Sequence, residues 1–317
     1  MILAYLVKRI LYALVVLFMV SIVTFLIIRL APGGPSLLAD PKLSKSEIAQ
    51  IEQQLGIDQP IPVQFVRWLV QIARGDLGKS FLYQTGNLET IMTRLPNTLI
   101  LAGVSLLISV LIAVPLGLYS AIRPYGVVDQ SLGVLSLISI SIPVFWLGLL
   151  LIILFAVTLR MLPAGGMATP GIEDSLLDRL QHLILPVFVL STAGIAEIMR
   201  YTRSSARNVL RQDFVRTARA KGLPEGTLQR RHVLRNALIP VVTIIGLQLP
   251  RLVGGAAVTE TIFSWPGMGR LGVEAALSRD YPLIMAITLF VAVAVVTFNL
   301  IVDLIYPLLD PRIGLES

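Results

Sequence analysis

The string Ala73-Arg74-Gly75-Asp76-Leu77-Gly78-Lys79-Ser80 departs only at Ala73 from G-x-x-x-x-G-K-[ST]. That is the spacing by which a glycine-rich loop cradles nucleotide phosphates on its backbone N–H groups and a lysine. Such a cradle needs a buried strand before it and a helix after it. Neither is predicted here, so the string reads as a glycine-containing turn. His182 and His232 are possible metal ligands by type, but they stand 50 residues apart and no H-x-x-x-H spacing occurs. There is no G-x-S-x-G elbow and no carboxylate pair in a cleft-like context. The absence of cysteine excludes disulfides and thiolate metal sites. The chain is therefore expected not to be an enzyme and to hold no cofactor or metal of its own.

Charge is spaced more informatively. Arg200, Arg203, Arg207 and Arg211 follow intervals of 3, 4 and 4, which stacks them on one helical face. The plain reading is a basic stripe at lipid-headgroup level. Residues 213–224 then read as a short amphipathic helix closed by Gly222 and Pro224. Phe214, Val215, Ala218 and Leu223 are expected to form an apolar edge, flanked by Arg216, Arg219 and Lys221, with Thr217 between them. A second helix is expected over 225–234. A helix–glycine–helix element of this kind suits docking into a partner's groove. Glu197 reads as the i,i+3 partner of Arg200. Carboxylates at mid-membrane, which ion-coupled carriers use, are not evident, so the energy for any transport must come from elsewhere.

The elements that position these residues follow from composition. Of 317 residues 55% are apolar and 14% charged, against about 25% charged in a soluble domain. Mean hydropathy is +0.81. A disordered chain is excluded, the composition argues against a soluble enzyme, and an all-α polytopic membrane protein is predicted. Uncharged stretches at 10–28, 96–122, 130–159 and 281–302 are long enough to span. Shorter ones at 180–196 and 236–250 bring the expected total to six transmembrane helices. Lys8 and Arg9 resemble the start of a signal peptide, but the apolar run that follows is too long and lacks a cleavage site, so a retained helix is expected.

The basic excess of 26 Lys and Arg over 19 Asp and Glu is segregated, which indicates orientation rather than nucleic-acid binding. With both termini cytoplasmic, the inner segments carry 14 basic and 5 acidic residues and the outer ones 10 and 12. The expected organisation is a first helix at 1–30 and an external segment with short helices at 31–95, near 44–55 and 63–73. A five-helix core at 96–308 follows, with a cytoplasmic loop at 200–236 and an external loop at 259–280. A cytoplasmic tail at 309–317 closes the chain.

The string Arg216-Thr217-Ala218-Arg219-Ala220-Lys221-Gly222-Leu223, followed by Leu234-Arg235-Asn236-Ala237, resembles the permease subunits of ABC importers of the dipeptide/oligopeptide/nickel branch. The wider family's Glu-Ala-Ala-x3-Gly signature falls on Arg216, Thr217, Ala218 and Gly222, with its glutamate and first alanine replaced. Arg29-Leu30-Ala31-Pro32-Gly33, Gly75-Asp76-Leu77-Gly78, the run from Thr259 to Gly267, and Asp310-Pro311-Arg312 are similar to the same branch, so the resemblance covers nearly the whole chain.

The resemblance implies a type I importer permease fold in a prokaryotic cell membrane, as one of two permeases, usually a heterodimer. It further implies two cytosolic ATPases that carry ATP and Mg, and an extracytoplasmic substrate-binding protein. The 216–223 helix would couple to the ATPases through Phe214 to Leu223, and transport would proceed by alternating access. Peptide is the expected solute, with nickel, glutathione and oligosaccharide as further possibilities of the branch. Phe263, Ser264, Trp265, Pro266 and Gly267 are expected to form a rigid turn at the external mouth, or else an aromatic anchor at the bilayer interface. A secondary carrier or channel without ATPase partners is the alternative.

Overall fold

The structure, a computed structural model, describes residues 2–30 and 58–309, with positions 44, 46, 50, 53 and 56 between them. Among these residues all regular structure is helical, apart from one isolated bridge between Lys79 and Gly86. Four helices are long and apolar enough to cross a membrane: α1 (Ile2–Leu30), α3 (Asn87–Ile122), α6 (Leu176–Leu210) and α11 (Tyr281–Leu309). Each turns large apolar side chains outward, with Leu14, Leu107, Leu111 and Ile184 all exposed. Lipid is the solvent that makes this favourable.

The stretch at 130–159, expected as one span, is two helices meeting at 98°. α4 (Val127–Ser141) stops at Ile142, and α5 (Val144–Leu151) restarts after Pro143, continuing as a wider π-helix over Ile152–Thr158. The cause is local. A proline ring excludes the preceding residue from the helical region, and Ile142 accordingly sits at φ −76°, ψ 123°. Counting the bent pair as one crossing raises the total to five.

The tightest contact in the bundle is α3 against α6. Ser105, Ser109, Ala113, Gly117 and Ala121 recur every four residues along α3 and are all buried. Such a strip of small residues lets two helix backbones approach closely. A Cβ at Gly117 would lie 2.7 Å from the Met199 carbonyl oxygen, and Ser109 Oγ donates to the Ser191 carbonyl at 3.2 Å.

At one end of the bundle, α2 (Ile61–Ala73) lays Phe65 and Trp68 on Phe25 of α1, with ring centroids 5.2 and 5.8 Å from it. Tyr281 and Met285 of α11 close the same cluster. The helix expected near 44–55 lies outside the described residues, as does the tail beyond Leu309. At the other end sits α7 (Asp213–Ala220). The expected 225–234 helix is one α turn, Glu225–Thr227, then a π-helix, Leu228–Leu234, running without a break into α8 (Arg235–Gly254). Two short helices, α9 (Ala257–Ile262) and α10 (Met268–Leu277), fill the loop between α8 and α11.

Candidate functional site

α7 is amphipathic on a scale of two turns. Val215 is fully buried and Ala218 nearly so, while Phe214, Arg216, Thr217, Arg219 and Lys221 are exposed. The inward pair rests on Ala121 at the end of α3, Ala206 and Val209 of α6, Leu228 and Val233 of the π-helix, and Ala237 of α8. One small helix thus shares a buried core with the ends of three long elements, through the π-helix beside it. The four-residue apolar edge read from the sequence is thereby corrected. Val215 and Ala218 fasten α7 to its own bundle, Leu223 packs half-buried on the same cluster, and only Phe214 stays outside, 40% exposed. Residues 215 and 218 share one side of the helix by their spacing of three, whereas 214 points elsewhere.

The C-terminal end of α7 is closed twice over. Gly222 adopts φ +77°, a conformation that side chains disfavour. The Leu223 N–H donates to the Ala218 carbonyl at 3.3 Å and the Gly222 N–H to the Arg219 carbonyl at 3.0 Å. This is the paired bonding by which a left-handed glycine ends a helix, completed by the apolar contact between Leu223 and the cluster under Ala218. Across the turn, Arg219 Nε meets Glu225 Oε1 at 2.6 Å and Nη2 meets Oε2 at 3.3 Å. The hydrogen bonds from Arg219 hold the Glu225 carboxyl below the ordinary glutamate range and raise the guanidinium in turn. The Asp213–Arg216 pair, 3.7 Å apart and almost wholly solvated, adds little.

The arginine stripe lies on the C-terminal half of α6, and two of its members have partners the sequence reading missed. Arg203 Nη2 donates to Asp129 Oδ2 at 2.6 Å; the Tyr125 N–H and the Ser120 hydroxyl donate to the same carboxylate. Arg207 donates to the Tyr125 hydroxyl at 3.2 Å and lies over its ring at 5.2 Å. The hydrogen bond and charge of Arg207 favour the phenolate and draw the Tyr125 hydroxyl below its usual range. Glu197 accepts from Gln248 of α8 at 3.4 Å; among the described residues no ion pair joins it to Arg200.

At the far end, the turn Phe263–Gly267 is held from within. Trp265 is fully buried among Leu101, Val187 and their neighbours, and its indole N–H donates to the Asn97 carbonyl at 3.0 Å. An anchor at the bilayer interface is excluded by that burial. Phe263 is buried as well, and its carbonyl receives the Gly166 N–H at 2.7 Å. Ser264, at φ +49°, is the exposed tip.

Beneath the tip lies Glu260, fully buried, accepting from Thr98 Oγ1 at 2.9 Å, the Arg270 N–H at 2.9 Å and the Ala256 N–H at 3.3 Å. Thr98 Oγ1 in turn accepts the Met268 N–H at 2.7 Å. Gly267 is packed so closely that an added Cβ would lie 2.5 Å from both Glu260 Oε2 and Thr98 Oγ1. Glu260 was visible in the sequence only as part of a motif. An acidic residue flanked by Thr259 and Thr261 gives no sign of whether it is buried.

The remaining chemistry-bearing residues resolve as scaffold. The 73–80 string is a turn: Ser80 Oγ donates to the buried Asp280 at 2.5 Å, and the Ser80 N–H bonds the Thr85 carbonyl. Asp280 also receives the Leu283 N–H and so caps α11. His182 is buried beside Asp178 on α6, and Thr169 Oγ1 lies 3.2 Å from its Nε2. Among the described residues no three His, Asp or Glu gather as a metal site would require.

Residues 2–102 match the N-terminal component, and residues 113–315 the main component, described as a binding-protein-dependent transport system inner membrane component. The chain is 46% identical over 312 residues to the oligopeptide transport system permease protein AppB of Bacillus subtilis, covering 98% of this chain and 99% of that one. It is 40% identical to the dipeptide transport system permease protein DppB of Alkalihalophilus pseudofirmus, covering 98% and 99%. It is also 40% identical to the probable D,D-dipeptide transport system permease protein DdpB of Escherichia coli, covering 93% of each. With its apolar helices and this match along nearly its whole length, the chain belongs to the family of inner-membrane components of binding-protein-dependent transport systems.

Proposed function

We propose that the chain is a permease subunit of an ATP-driven peptide importer, that it pairs with a second permease, and that α7 is the part its cytosolic ATPases grip. The observation that carries this is the seating of α7. Its inner side shares one buried core with the ends of α3, α6 and α8, and its remaining sides leave Phe214, Arg216, Arg219 and Lys221 exposed. A partner that moves this helix moves three helices at once. The peptide names of the relatives support the solute class.

Six spans follow if the bent α4–α5 pair is one crossing and α8, 20 residues and about 30 Å long, is another. Both termini then lie on the cytoplasmic side with α7, where the basic excess is. The turn at Ser264 faces the extracytoplasmic side, where a substrate-binding protein would deliver solute. Nucleotide on the ATPases drives alternating access by favouring one arrangement of the bundle; reversing a 1:99 population takes about 5.5 kcal/mol of differential binding. This chain supplies the lever, and its ATPases supply the energy.

Gly222→Arg tests the reading. A side chain at φ +77° strains the turn that presents α7, and the new cation crowds the exposed side. The expected result is normal membrane insertion, loss of ATPases on co-purification and abolished peptide uptake. A variant complex that keeps its ATPases and full uptake refutes the coupling role of α7.

A further inference from the structure

We propose that the basic groove along the C-terminal half of α6, bordered by Ile140 of α4, binds the phosphate headgroup of an anionic phospholipid, with acyl chains lying along the outer side of α4. The groove is open on one side, has a volume of about 910 Å³ and is lined by Glu197, Arg200, Arg203, Ser204, Arg207 and Arg211 of α6. Its charges are unequally matched. Arg203 is neutralised by Asp129, and Arg207 is engaged with Tyr125. Arg200 and Arg211 have no carboxylate within ion-pair distance among the described residues. Glu197, the one acidic residue in the lining, accepts a hydrogen bond from Gln248.

Depth selects the ligand. The uncharged part of α6, residues 180–196, rises about 26 Å, close to the thickness of the hydrocarbon layer. Arg200 therefore stands where phosphates begin. α4 runs antiparallel beside it: Asp129 is level with Arg203, and Ile140 lines the groove together with Ala193. The outer side of α4 is bare and apolar, with Val134, Leu135 and Leu137 each more than half exposed. The groove is thus cationic at headgroup level and flanked by an aliphatic wall at chain level. Guanidinium groups match phosphate oxygens two at a time, and basic pockets between membrane helices favour acidic headgroups. Only insertion in a bilayer is required for this, not peptide transport.

The test is native mass spectrometry of the full-length chain, purified with the subunits that accompany it. The sample is first equilibrated in mixed micelles of equal phosphatidylglycerol and phosphatidylcholine. Phosphatidylglycerol is expected to be retained over phosphatidylcholine by about tenfold, and the Arg200→Gln/Arg211→Gln double variant to fall to near parity. Arg160→Gln, a charge loss beside the π-helix after α5, leaves the preference intact. Ser204→Trp fills the groove with every charge in place and is expected to displace the lipid equally, which covers the case of a double variant that does not fold. Equal retention in wild type and Ser204→Trp overturns the assignment. Displacement of the lipid by a millimolar tripeptide overturns it in favour of a solute subsite. Loss of subunit pairing in Ser204→Trp overturns it in favour of a protein interface.

Discussion

Glu260 holds three donors beneath the Phe263–Gly267 turn: a hydroxyl of α3 and two backbone N–H groups. Replacing it with alanine strands them, and Glu260→Ala is expected to cost about 3 kcal/mol, read as an earlier thermal unfolding midpoint. Glu260→Gln, which keeps an acceptor, is expected to cost less. Gly267→Ala forces a methyl against the same carboxylate and should lower transport with little change in ATPase association. Glu225 yields a pH prediction. Its folded carboxyl titrates below its ordinary value of 4.5, so the clamp with Arg219 is complete above that value and is lost as pH falls through the lowered one. Hydrogen exchange at Leu223 should accelerate over that acid range in the wild type and show no such step in Arg219→Gln. At this scale the sequence was least readable. Asp129, Asp280 and Glu260 looked like ordinary loop acids, and only the fold brings Arg203, Ser80 and Thr98 to them.

Elements were more legible than side-chain partners, because hydropathy and punctuation are local properties. The long apolar runs of α1, α3 and α11, the helix at 61–73 and the closure of α7 at Gly222 all follow from residue order. The direction of α7 did not: a helix of 8 residues with apolar groups on two sides leaves undecided which side its own chain will cover. The 98° break at Pro143 was not legible, since Pro115 and Pro186 sit inside helices that continue through them. Seating of α7 is open to direct test. Val215→Asp buries a carboxylate among Ala206, Leu228 and Ala237, with no partner there for its charge. The expected outcome is a loosened α7, seen as rapid exchange over Asp213–Ala220, and uncoupled ATP hydrolysis although every outward side chain is unchanged.

For the whole molecule, the two ends differ in how their polar groups are used. The end bearing the Phe263–Gly267 turn buries Glu260 and Asp280 as internal ties; the other end buries Asp129 in the same way but adds a displayed stripe of arginines. Ser264→Cys and Phe214→Cys report on the two ends. In intact cells a membrane-impermeant maleimide is expected to label the first and spare the second, and in inside-out vesicles the reverse. Labelling of both from one side contradicts the six-span topology.

The close crossing at Gly117 has a mechanical consequence. Two rods in backbone contact at Met199 and pinned again at Ser109 cannot slide past each other without overlapping atoms, so α3 and α6 travel as a single beam. Under the proposed alternating access, the pivot must then lie off that beam. The corner at Pro143, where one helix stops at Ile142 and the next starts at Val144, is a break that lies off it, whereas the joint after Gly254 is packed against Gly269 and tied to Glu260.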